Sequence, residues 1–242
     1  MISPLSIGSV LFATGYNYLT SRAKEDDARV RSPAQPQPVF FIPVWNAIYL
    51  GLNLFGWRSQ RKPFVHASPW HQVNCTLNGY SAYLVRRQRK ALELLCNFGI
   101  FATAFGYRLN MSEARLKPVD QFIRWSAELY VGWTLAATVL TASQLVRKGR
   151  IAKAVKESRP VVSNGLASVA GIASVGYGIQ KTTGWTGSSA AIAWGLAGAA
   201  LEKRNPRTIR MCAFAGAASF LYLALKPGAP RYDSSRPQAA LA

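Results

Sequence analysis

The chain has 242 residues, half of them hydrophobic, with 29 Lys and Arg against 10 Asp and Glu and a formal net charge of +19. The basic residues gather between apolar segments, at 86–90, 147–159 and 203–204, with no nucleic-acid-binding motif beside them, which excludes nucleic acid as a partner. They read instead as positive-inside anchors that also touch the anionic headgroups of a lipid bilayer.

In chain order, apolar segments recur at about 4–20, 38–57, 71–85, 91–108, 122–146, 162–180, 184–201 and 208–225, with lengths near that of a membrane span. The expected fold class is an all-α integral membrane protein, a polytopic bundle of seven or eight transmembrane helices. The N-terminus lacks the basic region of a cleaved signal peptide and opens the first span. A polar, proline-containing linker at 21–37 leads to the uncharged run 39–57, which is about 28 Å long as a helix. That run carries Trp45, Trp57, Tyr49, Asn46 and Asn53, more polar and aromatic groups than spanning requires. Such amides are costly in lipid without partners, so this helix is expected to face other helices or a ligand.

The third segment, with Asn74, Thr76, Asn78 and Ser81, is too polar to stand alone in lipid and needs partners on neighbouring helices. Whether it crosses decides the orientation. Eight spans place both termini outside, seven move the N-terminus inside, and the 147–159 loop is inside either way. That loop has a surface-helix pattern in Ile151, Ala154 and Val155. The last three spans are dense in Gly, Ala and Ser. The pairs Ala167/Gly171 and Gly195/Ala199 are spaced for close packing, within the bundle or against another subunit. The tail 227–242 reads as disordered or as lying along a partner.

No residue pattern supports catalysis: phosphate-cradling loops, nucleophile elbows and paired His/Glu metal motifs do not occur. Cys75, Cys96 and Cys212 are isolated, without metal-ligand spacing, and read as small buried thiols. His66 and His71 lie in or beside one polar loop and read as solvated, with pigment or haem ligation the sharper alternative. Glu128, the acid well inside a span, reads as an i,i+4 partner of Arg124, with a buried proton or ligand contact as the alternative. Trp57, Trp70 and Trp185 stand at span ends as interfacial anchors. Trp45, Tyr49 and Asn53 share one helix face, as do Trp125, Leu129 and Trp133 with Tyr130 alongside. For the deeper Trp45, Tyr49 and Trp133, core packing and lining of a planar apolar ligand both stand open.

Two segments carry a family resemblance. Pro43-Val44-Trp45-Asn46-Ala47-Ile48-Tyr49 resembles the P-V-W-x-x-x-Y signature of the tryptophan-rich sensory protein (translocator protein) family. The stretch Leu129-Tyr130-Val131-Gly132-Trp133, followed by Ala137-Thr138, is similar to the L-Y-x-G-W-x-x-x-A-T of its longer members. Leu77-Asn78-Gly79-Tyr80 is loosely similar to the L-N-x-x-W helix, with Tyr in place of Trp, and Ala193-Trp194-Gly195-Leu196-Ala197-Gly198 resembles the C-terminal extension of longer members. The resemblance implies a five-helix translocator-like core over 1–146. A basic loop or surface helix at 147–161, three C-terminal helices over 162–226 and the tail 227–242 would follow. It also implies a non-enzymatic protein that binds a porphyrin, sterol or other lipid-like ligand through Trp45, Asn46, Tyr49, Asn78, Tyr130 and Trp133. The location would be the plasma membrane in a bacterium, or a mitochondrial or plastid membrane in a eukaryote. The second reading is an accessory subunit of a respiratory, ATP-synthase or photosynthetic complex, held to other membrane subunits through the small-residue helices and the tail.

Overall fold

The computed structural model describes Ala34, Pro36 and residues 40–59, 69–87, 89–111, 117–148 and 159–226. All regular structure among these is helical, in seven helices: α1 (Phe41–Ser59), α2 (Pro69–Arg86), α3 (Lys90–Leu109), α4 (Pro118–Lys148), α5 (Arg159–Thr183), α6 (Thr186–Leu201) and α7 (Arg207–Leu225). They coincide with seven of the eight apolar segments. The first segment, the 21–33 stretch of the linker, His66, residues 149–158 of the basic loop and the tail 227–242 lie outside the described residues.

Local chemistry sets several helix ends. Pro69 and Pro118 open α2 and α4, where a missing N–H costs nothing. Gly184 has φ +70°, its N–H bonds to the Gln180 carbonyl at 2.8 Å, and this left-handed residue ends α5 and turns the chain into α6.

α4 is the hub of the bundle. It touches α1, α3, α5 and α6, α2 packs on α3, and α5, α6 and α7 pack mutually. In its apolar 18-residue window 61% of the residues are buried, against 33% in α5 and 22% in α7, so the last two turn most of their surface outward. These three are long and apolar enough to cross a membrane; the apolar part of α1, Phe41–Phe55, is shorter. The outward faces are apolar, with Leu95, Phe98, Met211, Phe214 and Leu221 all more than half exposed, as a lipid-facing surface requires.

The polar third segment forms a complete helix because its amides find partners. Asn74 Nδ2 donates to the Ile100 carbonyl and to Thr103 Oγ1, both at 2.9 Å, and Asn78 Nδ2 donates to the Tyr130 hydroxyl at 2.7 Å. Thr76 bonds its own helix at the Gln72 carbonyl, and Ser81 donates to Asn97 Oδ1 at 3.5 Å.

The closest helix approaches use glycines other than the four-apart pairs. A Cβ at Gly51 would collide with Ser126, tying α1 to α4. Gly132 lies against the Ser188 backbone, and a Cβ at Gly187 would sit 2.6 Å from the Trp125 carbonyl oxygen, so α4 and α6 cross backbone to backbone. Gly171 and Gly195 make looser contacts, to Val139 and Trp133 at 3.6 and 3.5 Å, and Ala167 is exposed.

Candidate functional site

Four of the six sequence-derived site residues meet where α1, α2 and α4 converge. Trp45 stacks on Tyr49, one turn along α1, with ring centroids 5.0 Å apart and planes 17° apart. Tyr130 from α4 approaches Trp45 edge-on at 6.1 Å, and Asn78 from α2 donates to its hydroxyl. Tyr130 is fully buried, Tyr49 and Asn78 nearly so, and Trp45 half-buried. Trp133 is buried but stands apart from that stack, packing edge-on against Phe41 at 5.2 Å. Asn46 is exposed and does not join the others. Asn53 is exposed too, and its amide bonds back to the Tyr49 carbonyl. Trp125 is 38% exposed, beside Phe122, off the inner face that holds Leu129 and Trp133.

A second polar layer lies next to this one, towards the end of α1 and the start of α2. His71 is not a solvated interfacial histidine. It is 7% exposed and packed against Phe55 and Tyr107 at 5.0 and 5.6 Å, and its Nε2 lies 3.8 Å from Cys75 Sγ. The sequence suggested a loop position because His66, Pro63 and Pro69 precede it, but Pro69 starts the helix and carries His71 into the bundle. Asn74 Oδ1 and the Tyr107 hydroxyl are buried without a hydrogen-bond partner among the described residues. Such groups cost about 1–3 kcal/mol each when left unsatisfied, so this layer has unused capacity to bind water or a polar ligand atom.

The expected pairing of Glu128 with Arg124 is corrected. Glu128 Oε1 accepts two bonds from Arg108 of α3, at 3.1 and 2.7 Å, and its Oε2 accepts the Gly187 N–H at 3.1 Å. Arg108 is 2% exposed and lies 4.8 Å over the Trp185 ring. Trp185 is therefore no interfacial anchor: it is buried between Arg108 and Phe105. An inward-facing acid in lipid needs a cation across a helix interface, and Arg124 lies on Glu128's own helix, one turn back. Trp70 is 47% exposed, as an anchor would be, and the Trp57 side chain lies outside the described residues. Cys75 and Cys96 are buried as expected, but Cys212 is exposed on α7.

Sequence reasoning passed over Arg108, which ends an apolar segment and looks like a cation bound for the interface, and Asn97, which bonds Thr141 on α4 at 3.0 Å. For Arg108 the readable signal was Glu128 itself.

Behind Trp133, on the side of the C-terminal helices, lies an apolar cavity of about 30 Å³ between α1, α4, α5 and α6. Among the described residues no three His, Cys, Asp or Glu side chains come together as a metal site.

Residues 5–226 match the TSPO-like protein family. The chain belongs to that family. The match takes in the C-terminal helices as well as the segment with the two signature motifs. No curated protein and no solved structure matches the chain. Membership agrees with the helical architecture and makes this TSPO-like chain an integral membrane protein of the translocator or sensor type.

Proposed function

We propose that this protein is a non-enzymatic membrane carrier or sensor that binds a planar apolar ligand of tetrapyrrole or sterol class on the aromatic face of α1. The observation that carries this reading is the Trp45–Tyr49 stack. It is half-open at Trp45, braced edge-on by Tyr130, and Tyr130 is in turn fixed by Asn78. Flat aromatic faces take up planar apolar ligands by dispersion, and a few fixed polar groups orient them. The unsatisfied Asn74 Oδ1 and Tyr107 hydroxyl offer further hydrogen-bonding capacity in the neighbouring layer around His71. Trp133 and Asn46 stay in the proposal as flanking positions, the first beside Phe41 and the second on the exposed side of α1.

A second reading, an accessory subunit of a larger membrane complex, is favoured by α5. Its exposed side carries Ala167, Ala170, Ser174 and Gly178, and a Cβ at Gly178 would meet nothing within 4 Å. Such a surface admits another helix closely. Purification in mild detergent separates the two. The carrier reading expects a lone monomer or dimer that takes up added protoporphyrin IX saturably. Co-migration with a large complex, and no saturable uptake, supports the subunit reading instead.

A further inference from the structure

We propose that the cavity behind Trp133 is a seat for the methyl end of a phospholipid acyl chain, distinct from the Trp45–Tyr49 stack on α1. Three small residues make the space: Ala136 and Ala137 on α4 and Gly195 on α6. Trp133 closes one wall, and Ile192, fully buried, closes another. The walls are almost wholly apolar, so water there would find too few polar partners to be held and the space stays dry. At about 30 Å³ it admits neither a tetrapyrrole nor a sterol, but it suits the last carbons of a slender chain.

Depth and access point the same way. Trp133 and Ile172, in the lining, are near the middles of the long apolar helices α4 and α5, the depth at which acyl chains end, while Phe41 at the start of α1 and Ala34 and Pro36 ahead of it line the opposite side. Ala137 on the lining is only half-buried, so the cavity borders the outer surface of a membrane-spanning helix. Nothing in the lining could bind a headgroup, so only the chain enters and the headgroup stays at the interface.

The test uses the full chain in phosphatidylcholine vesicles doped with phosphatidylcholine bearing a diazirine at the acyl terminus, and maps the photolabelled residues by mass spectrometry. Exposed residues such as Phe214 and Leu221 on α7 report ordinary surrounding lipid. Ile192 and Leu196 are 0% and 3% exposed, so label there reports a chain inside the cavity. The expected result is saturable labelling of Ile192 or Leu196 that falls at least tenfold in Ala137→Phe, with α7 labelling unchanged. Gly195→Ala serves as the second, smaller filling variant, because a Cβ there lies in ordinary contact with the Trp133 ring, at 3.5 Å. Label confined to the exposed faces overturns the proposal, as does Ile192 label insensitive to both variants. Label from photoactivatable palmitic acid but not from the phospholipid contradicts the phospholipid source.

Discussion

At residue scale, two buried polar pairs join helices of this bundle, and in each removing one member should cost more than removing both. Asn78→Leu leaves the Tyr130 hydroxyl buried without its donor. That change should destabilise the protein by about 1–3 kcal/mol. Adding Tyr130→Phe should recover much of the loss. Unfolding titrations in mixed micelles measure both, and strictly additive costs would show that the pair is not coupled. The Arg108–Glu128 pair obeys the same logic with larger numbers. Arg108→Met strands a buried carboxylate, at about 3–5 kcal/mol, and Arg108→Met with Glu128→Leu should be markedly milder than the single change. A single variant no worse than the double would mean that Glu128 does not depend on Arg108. The sequence showed that Glu128 needed an explanation but not which cation would supply it, because the partner lies on another helix.

At element scale, glycines divide into those at helix crossings and those facing out. Gly187→Val should disrupt the α4–α6 crossing, since even a Cβ would sit 2.6 Å from the Trp125 carbonyl and 2.7 Å from Glu128 Cβ. Gly178→Ala, in open space, should be neutral or stabilising by up to about 1 kcal/mol, because Ala is the better helix former. Thermal melts in detergent compare the two, and equal losses would place Gly178 at a contact as well. Helix positions were legible from apolar run length, and all seven described helices fall on expected segments. Which glycine meets which helix was not legible. The same Gly/Ala texture covers the exposed side of α5 and the buried core of α6, and spacing along one helix says nothing of the neighbour's position.

At the scale of the whole molecule, the outward apolar faces of α3 and α7 and the buried α4 hub require a bilayer around the bundle. The protein should resist carbonate extraction from membranes, and release by that wash would contradict the fold. Sequence motifs placed Trp45, Tyr49 and Tyr130 together through two signatures and one helix period, and Asn78 through the looser likeness of Leu77-Asn78-Gly79-Tyr80. They did not show that His71 and Tyr107 join Asn74 and Cys75 in a second layer, because His71 reads with the polar loop before it and Tyr107 lies on another helix, α3. The measurement closest to the central claim is titration of the purified chain with protoporphyrin IX, followed by quenching of tryptophan fluorescence, in wild type and in Trp45→Leu, Asn78→Leu and Trp133→Leu. Ligand binding on the α1 face predicts saturable quenching whose Kd rises at least tenfold, about 1.4 kcal/mol, in Trp45→Leu, and rises also in Asn78→Leu. Absence of saturable quenching in the wild type, or saturable binding untouched by both the Trp45 and the Trp133 changes, would contradict it.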